Sequence, residues 1–335
     1  MMTGAINLIS RIKKDELFRG SFVLVIMIGL YNFFNYLFQL SMARMLTLTE
    51  YSIFSVLMSL VYIIAIPSEA IQTIIAKNTS KLNAERNTGK IKYLILEGLK
   101  KGIIYSGIIF ILSIPILFVI SSLLKIKISL ILITMLSVIF AFTLSITRGA
   151  LQGNKKFFKL GLNSSLESFF KLLFSIFLVY IGLEVYGAIV AVLIGATIAL
   201  FFSYLSLKDI FKQKKEKCEF NGLLKQNMPI LIIMTSIVLI YSLDVIFARI
   251  FFSPDLAGKY SFVSLIGKTI LFMGFAIGKT MLPISSGNFE KRRGTFGLFK
   301  KSFLMISIIS LVALLVFYFF QHRLYKYSLW EIQNI

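Results

Sequence analysis

The sequence predicts an all-α fold, a polytopic membrane helix bundle, and three observations carry that prediction. Hydrophobic residues make up 57% of the 335-residue chain and charged residues only 15%, where a soluble domain carries roughly 25% charge. The apolar residues fall into about nine long runs, each near the ~20 residues a helix needs to cross hydrocarbon. Lysine and arginine, which bring the net charge to +21, gather in alternate loops between those runs. One globular core could not bury this much apolar area, so a bilayer is the natural solvent. Backbone groups inside hydrocarbon must be satisfied within their own segment, so each run is a helix. The shorter, alternating segments of a membrane β-barrel do not appear.

The runs justify themselves in order. Span 1 (21–43) carries no charge, but Asn32, Asn35 and Gln39 stand at i, i+3 and i+7. That polar stripe should face protein or water rather than lipid. Span 2 (51–76) carries Glu69, with Pro67 expected to kink the helix beside it. Spans 3 (102–124) and 4 (128–147) are free of charge, and 94–101 reads as an amphipathic lead-in with Glu97 and Lys101 one turn apart. Span 5 (160–183) holds Glu167 and Lys171 at (i, i+4), able to neutralise each other on one face. Span 6 (185–207) is uncharged and follows after barely a turn. Span 7 (228–252) carries Asp244 and Arg249, span 8 (260–283) Lys268 and Lys279, and span 9 (302–321) none. Arg249 and Lys279 lie near helix ends and are expected to snorkel to the interface.

Orientation follows from the basic residues. With a cytoplasmic N-terminus, the inner segments 1–20, 77–101, 148–159, 208–227 and 284–301 hold 26 Lys/Arg and the outer ones 6. The bias explains the net charge as a cytoplasmic surface facing anionic lipid, and no nucleic-acid partner is implied. Enzymatic chemistry has little to build on. Cys218 is the one cysteine and His322 the one histidine, so neither a disulfide nor a zinc site is expected. No phosphate-binding loop and no loop large enough for a polymerising or glycosyl-transferring centre appear, and no cofactor is expected. The glycosylation-like "NTS" at 78–80 falls in a predicted inner loop and is discounted.

A repeat organises the chain. "LTEYSIFSVLMSL" at 48–60 resembles "LAGKYSFVSLIGKT" at 256–269 when Tyr51 is laid on Tyr260. The shift places span 7 on span 1 and span 8 on span 2, both copies running the same way, as in repeats related by an axis along the membrane normal. Residues 1–208 then form a first six-helix bundle and 209–335 a second with three helices. The repeat projects further helices beyond Ile335, so the chain is expected to be a C-terminally truncated form. Asn35 corresponds to Asp244, a polar group at the same height in each unit. Asp244 and Lys268 each lie about 12 Å from the outer surface and are expected to be neighbours, as a structural ion pair or as cavity lining. Ionisable residues within spans are functional candidates by default.

Three segments carry a family resemblance. "ARMLTLTEYSIFSVL" at 43–57, "RGALQGNKKFFKLG" at 148–161 and "DVIFARIFFSPDLAGKYSFVSLI" at 244–266 resemble, in order, the flippases of polysaccharides and lipid-linked oligosaccharides in the multidrug/oligosaccharidyl-lipid/polysaccharide exporter superfamily. The resemblance implies two bundles around a cavity that opens alternately to each side, with Arg44, Arg148 and Asp244 at the matching charged positions. The expected cargo is a lipid-linked saccharide, whose charged head cannot cross hydrocarbon unaided. The candidate site residues are Asn32, Asn35, Gln39, Arg44, Glu69, Arg148, Glu167, Lys171, Asp244 and Lys268, with Lys171, Lys268 and Arg44 suited to a phosphate. A cation-coupled drug exporter of the same fold, using Glu69, Glu167 and Asp244 with a coupling ion, is the alternative.

Overall fold

A computed structural model describes residues 16–217, 228–268 and most of 296–315. The chain divides into two compact units, Met1–Gly258 and Lys259–Ile335. Every element among the described residues is a helix. In the first unit these are α1 (Glu16–Met45), α2 (Leu48–Ala84), α3 (Thr88–Leu124), α4 (Ile128–Gly153), α5 (Phe157–Leu178), α6 (Glu184–Phe211) and α7 (Met228–Phe251). Another helix runs over 254–268. The second unit is helical at 259–268 and again over 302–308 and 310–315. Successive helices alternate in direction, so the first unit has a short-loop end (46–47, 125–127, 179–183, 252–253) and a lysine-rich end (85–87, 154–156, 212–217).

The first seven predicted runs map onto α1 to α7. Runs 8 and 9 begin in helix and continue outside the described residues, where Cys218, Lys279 and His322 also lie. Several helices outrun the hydrocarbon-length prediction. α2 continues to Ala84, so Asn78–Ser80 is helix and not loop, and α4 continues to Gly153, so Arg148 is helical rather than part of an inner loop. The cause is packing that continues past the apolar runs: Ile91, Leu94, Ile95 and Leu151, outside them, join Ile75 and Ile146 at their ends in a buried core at the lysine-rich end. That core also fuses the amphipathic lead-in and span 3 into the single helix α3.

Local chemistry fixes the ends. Thr47 caps α2: its hydroxyl accepts from the Glu50 N–H at 3.3 Å, while the Glu50 carboxylate accepts from the Thr47 N–H at 2.9 Å, the reciprocal pairing of a capping box. α5 turns into α6 through Val179–Leu183, where Gly182 takes φ +91° and Glu184 φ +48°. Gly182 is the residue type for which that region is free of strain.

Small residues set the helix contacts, as expected where lipid gives little hydrophobic drive for association. A Cβ on Gly149 of α4 would stand 2.6 Å from the Gln72 carbonyl of α2, and Gly153 lies as tightly on Ala76. Gly195 of α6 faces the Glu167 carbonyl and Lys171 of α5. Gly161 of α5 packs on Met27 of α1, and Ser165 donates to the Met27 carbonyl at 3.1 Å. α3 packs Gly98 and Gly102 on Ile146 of α4, but much of its remaining length is exposed. Ile104, Ile108, Leu112, Ile116, Val119 and Leu123 are all exposed, a stripe with lipid as its natural partner.

At the lysine-rich end, Lys156 precedes α5 and donates to the Ser206 carbonyl at 3.3 Å. Burial, and then repulsion from Lys159, holds its ammonium below the usual lysine value against the pull of Asp209. The strand-free segment after α6 lies across the start of α3: the Glu216 N–H donates to the Gly89 carbonyl at 3.2 Å, and Lys92 donates to the Gln213 carbonyl at 2.9 Å.

Candidate functional site

α5 places Asn163, Glu167 and Lys171 four residues apart, so they form one polar stripe along the helix. α4 supplies Arg148 opposite it. The Arg148 guanidinium donates through Nε to the Asn163 side-chain oxygen Oδ1 at 2.8 Å and through Nη2 to Glu167 in an ion pair. Its fork thus reads two α5 residues one turn apart, a bidentate geometry that lysine cannot supply. Asn163 is satisfied on its other side, donating to the Ala199 carbonyl at 2.6 Å and to Ser203 Oγ at 3.0 Å. Thr147 donates to the same Ser203 at 3.1 Å. A closed polar network therefore ties α4, α5 and α6, as a buried charge requires.

Lys171 belongs to the other side of the stripe. Its ammonium donates to the Asn35 side-chain oxygen on α1 and stands 4.7 Å from the centre of the Phe38 ring, a cation–π contact. Asn35 in turn donates to the Tyr31 carbonyl at 2.9 Å. The expected Glu167–Lys171 neutralisation is therefore not what forms. Glu167 goes to Arg148 and Lys171 to Asn35, because the partners across the helix interface reach in with better geometry than an (i, i+4) neighbour.

The span 1 stripe splits. Asn35 turns to α5, Gln39 donates to the Tyr62 hydroxyl at 3.4 Å, and Asn32 is exposed. Glu69 is exposed on α2, with Gln72 one turn on donating to Gln152 at 3.1 Å. Arg44 is exposed in the last turn of α1. Asp244 in the first unit and Lys268 in the second are each half-buried. The structure thus gathers Asn35, Arg148, Glu167 and Lys171 inside the first unit, and leaves Asn32, Arg44 and Glu69 on its surface. No three His, Cys, Asp or Glu residues stand together as a metal site among the described residues.

Sequence reasoning passed over Asn163 and three tyrosines, and misplaced Arg249. Asn163 completes the stripe and could have been found from its spacing with Glu167. Tyr31, Tyr62 and Tyr241 stand in the middle of their spans, where an interfacial aromatic belt would not place them. Arg249 does not snorkel. It is 8% exposed and donates to the Leu124 carbonyl and to Ser52 Oγ, each at 3.2 Å. Leu124 ends α3 and has no intrahelical donor for its carbonyl, so a buried guanidinium is held there in preference to water. Beside it, Thr49 donates to the Asp255 carboxylate at 2.8 Å and Gly258 packs on the Leu48 carbonyl.

Comparison with known proteins places this architecture. A family model described as "Polysaccharide biosynthesis protein" matches residues 17–289. An inward-facing multidrug resistance MATE family transporter of the MOP superfamily superposes with a TM-score of 0.65 at 13% identity, covering 90% of this chain and 71% of that one. A MATE structure in complex with MaD5 gives 0.60 at 14% identity, covering 95% and 75%. A MOP superfamily transporter from Pyrococcus furiosus, described as having a binding pocket of reverse polarity, gives 0.51 at 13% identity, covering 82% and 71%. At such identities these structures establish the fold. No curated protein matches by sequence. With most of its length matched by one family model, on the multi-pass helical fold of the MOP transporters, the chain belongs to the polysaccharide biosynthesis protein family.

Proposed function

We propose that the protein moves a lipid-linked saccharide, the precursor of a surface polysaccharide, from the cytoplasmic to the outer leaflet of a prokaryotic plasma membrane. The observation that carries the reading is the family match over residues 17–289. The physics of the cargo supports it: sugar hydroxyls and phosphates are costly to desolvate, and a protein path spares them the hydrocarbon. Transport proceeds by alternating access between two bundles, 1–208 and 209–335, without catalysis. The touching of Leu48 with Gly258, and of Thr49 with Asp255, supports that division, since the repeat shift lays Leu48 on Ala257. The cytoplasmic N-terminus rests on the 26-to-6 basic bias. Arg44, Asp244 and Lys268 are candidates to meet the cargo, and the exposed Asn32 and Glu69 join them.

The drug-exporter reading draws on the printed function of the MATE neighbours and on the exposed Glu69 carboxylate. One experiment separates the two. On deletion of the native gene, lipid-linked precursor should accumulate in the inner leaflet and surface glycan should fall, both restored by the gene supplied on a plasmid. Unchanged glycan with heightened drug sensitivity would replace this reading by the exporter.

A further inference from the structure

Three tyrosines on three helices stand at mid-span, a depth at which a phenol hydroxyl has no water and no lipid headgroup to bond. Tyr31 lies on α1, Tyr62 on α2 and Tyr241 on α7, and all three are half-buried. The Tyr62 and Tyr241 rings are 5.9 Å apart at 58°. Gln39 donates to the Tyr62 hydroxyl. Glu69 follows Tyr62 by two turns on the same face of α2, about 10 Å along the axis, and is exposed. Tyr31 and Tyr241 both lie within electrostatic reach of its carboxylate.

The cations nearby are engaged. Arg148 is committed to Glu167 and Asn163, and Lys171 to Asn35 and Phe38. What this part of the molecule offers is therefore aromatic faces, phenol hydroxyls, an amide and an exposed carboxylate. A pyrophosphate would be repelled by Glu69. An uncharged pyranose fits the same set well: its apolar C–H face packs on a ring, and its rim hydroxyls need hydrogen-bond partners once they leave water. Aromatic walls with a few placed polar groups are the ordinary make-up of a small-molecule site.

We propose that Tyr31, Tyr62 and Tyr241, with Gln39 and Glu69, form a subsite for an uncharged sugar ring of the cargo, separate from the groups that hold its phosphates. The inference rests on the transport of a lipid-linked saccharide proposed above, and it assigns the sugar and the phosphate to different places.

The test uses the full chain in nanodiscs, titrated with undecaprenyl pyrophosphate and with the same lipid bearing one N-acetylglucosamine, binding being read by native mass spectrometry. The sugar-bearing lipid should bind about tenfold more tightly than the bare one. Tyr62→Leu and Tyr241→Leu should remove most of that difference, and Tyr62→Phe, which keeps the ring, should remove less. Melting temperatures of the variants show whether each is folded. An equal loss of affinity for both lipids, or a difference that survives both leucine variants, overturns the subsite. So does equal binding of the two lipids by the native chain, while the transport reading stands. If neither lipid binds, the lipid-linked cargo itself is wrong and the subsite falls with it.

Discussion

Arg148 of α4 holds Glu167 of α5 in an ion pair inside the first unit. Its presence beside the fourth run was plain, and Glu167 and Lys171 were recognised as charges within a span. Depth along a helix is legible, because it is a residue count times a fixed rise. The direction a side chain takes across the bundle depends on which helix lies alongside, and nothing local encodes that. The (i, i+4) rule therefore joined Glu167 to Lys171, while packing of α4 on α5 gave Glu167 to Arg148. The two side chains are only 14% and 18% exposed, and breaking a buried pair strands a charge at a cost of roughly 3–5 kcal/mol. Arg148→Met should sharply lower the melting temperature of the purified protein. Arg148→Met combined with Glu167→Met should recover most of the loss. A double variant no better than the worse single would show that the two charges are not coupled.

At the scale of the element, the helices themselves were the most legible feature. An uninterrupted apolar run in lipid has one backbone solution, and α1 to α7 follow the first seven runs. The ends were less legible, because α2, α3 and α4 continue where apolar side chains pack past the ends of the runs, around Ile91, Ile95 and Leu151. The glycines that seat one helix on another gave no sign of their partners either. Their effect is open to measurement. Gly149→Val and Gly153→Val place carbon where carbonyls of α2 already stand, and overpacking of this kind costs typically 1–3 kcal/mol. Gly107→Val on α3 meets nothing within 4 Å. Heating in detergent followed by size-exclusion chromatography should show early loss of the first two variants and near-native behaviour of the third. Equal behaviour of all three would mean that α2 and α4 are not in such close contact.

For the whole molecule, orientation and the two-bundle plan rest on patterns that only the entire chain displays: the distribution of its basic residues and the repeat. The first is tested by single cysteines in a Cys218→Ser background. Leu256→Cys, at a position 55% exposed, should react with a membrane-impermeant maleimide added to intact cells. Lys215→Cys, also exposed, should react after permeabilisation alone. Labelling of Lys215→Cys from outside would invert the topology. The candidate site was partly legible at this scale. Charges and amides within spans singled out α1, α5 and α7. The tyrosines were not singled out, because an aromatic residue in an apolar run carries no mark of its own until three helices bring three of them together.

The exposed stripe on α3 has a consequence for how the protein meets its surroundings. From Ile103 to Leu123 the exposed side chains span 20 steps of the helix, about 30 Å, which is the thickness of an ordinary hydrocarbon layer. Lys100 and Lys101 stand just before the stripe, and Lys125 and Lys127 just after it. The helix is thus a ruler with a charged stop at either end. A bilayer of short acyl chains would leave isoleucines wet, and one of long chains would draw lysines inward, each at a modest cost per ångström of mismatch. Acyl-chain length in a reconstituted vesicle becomes a physical control on this protein, adjustable without changing a residue.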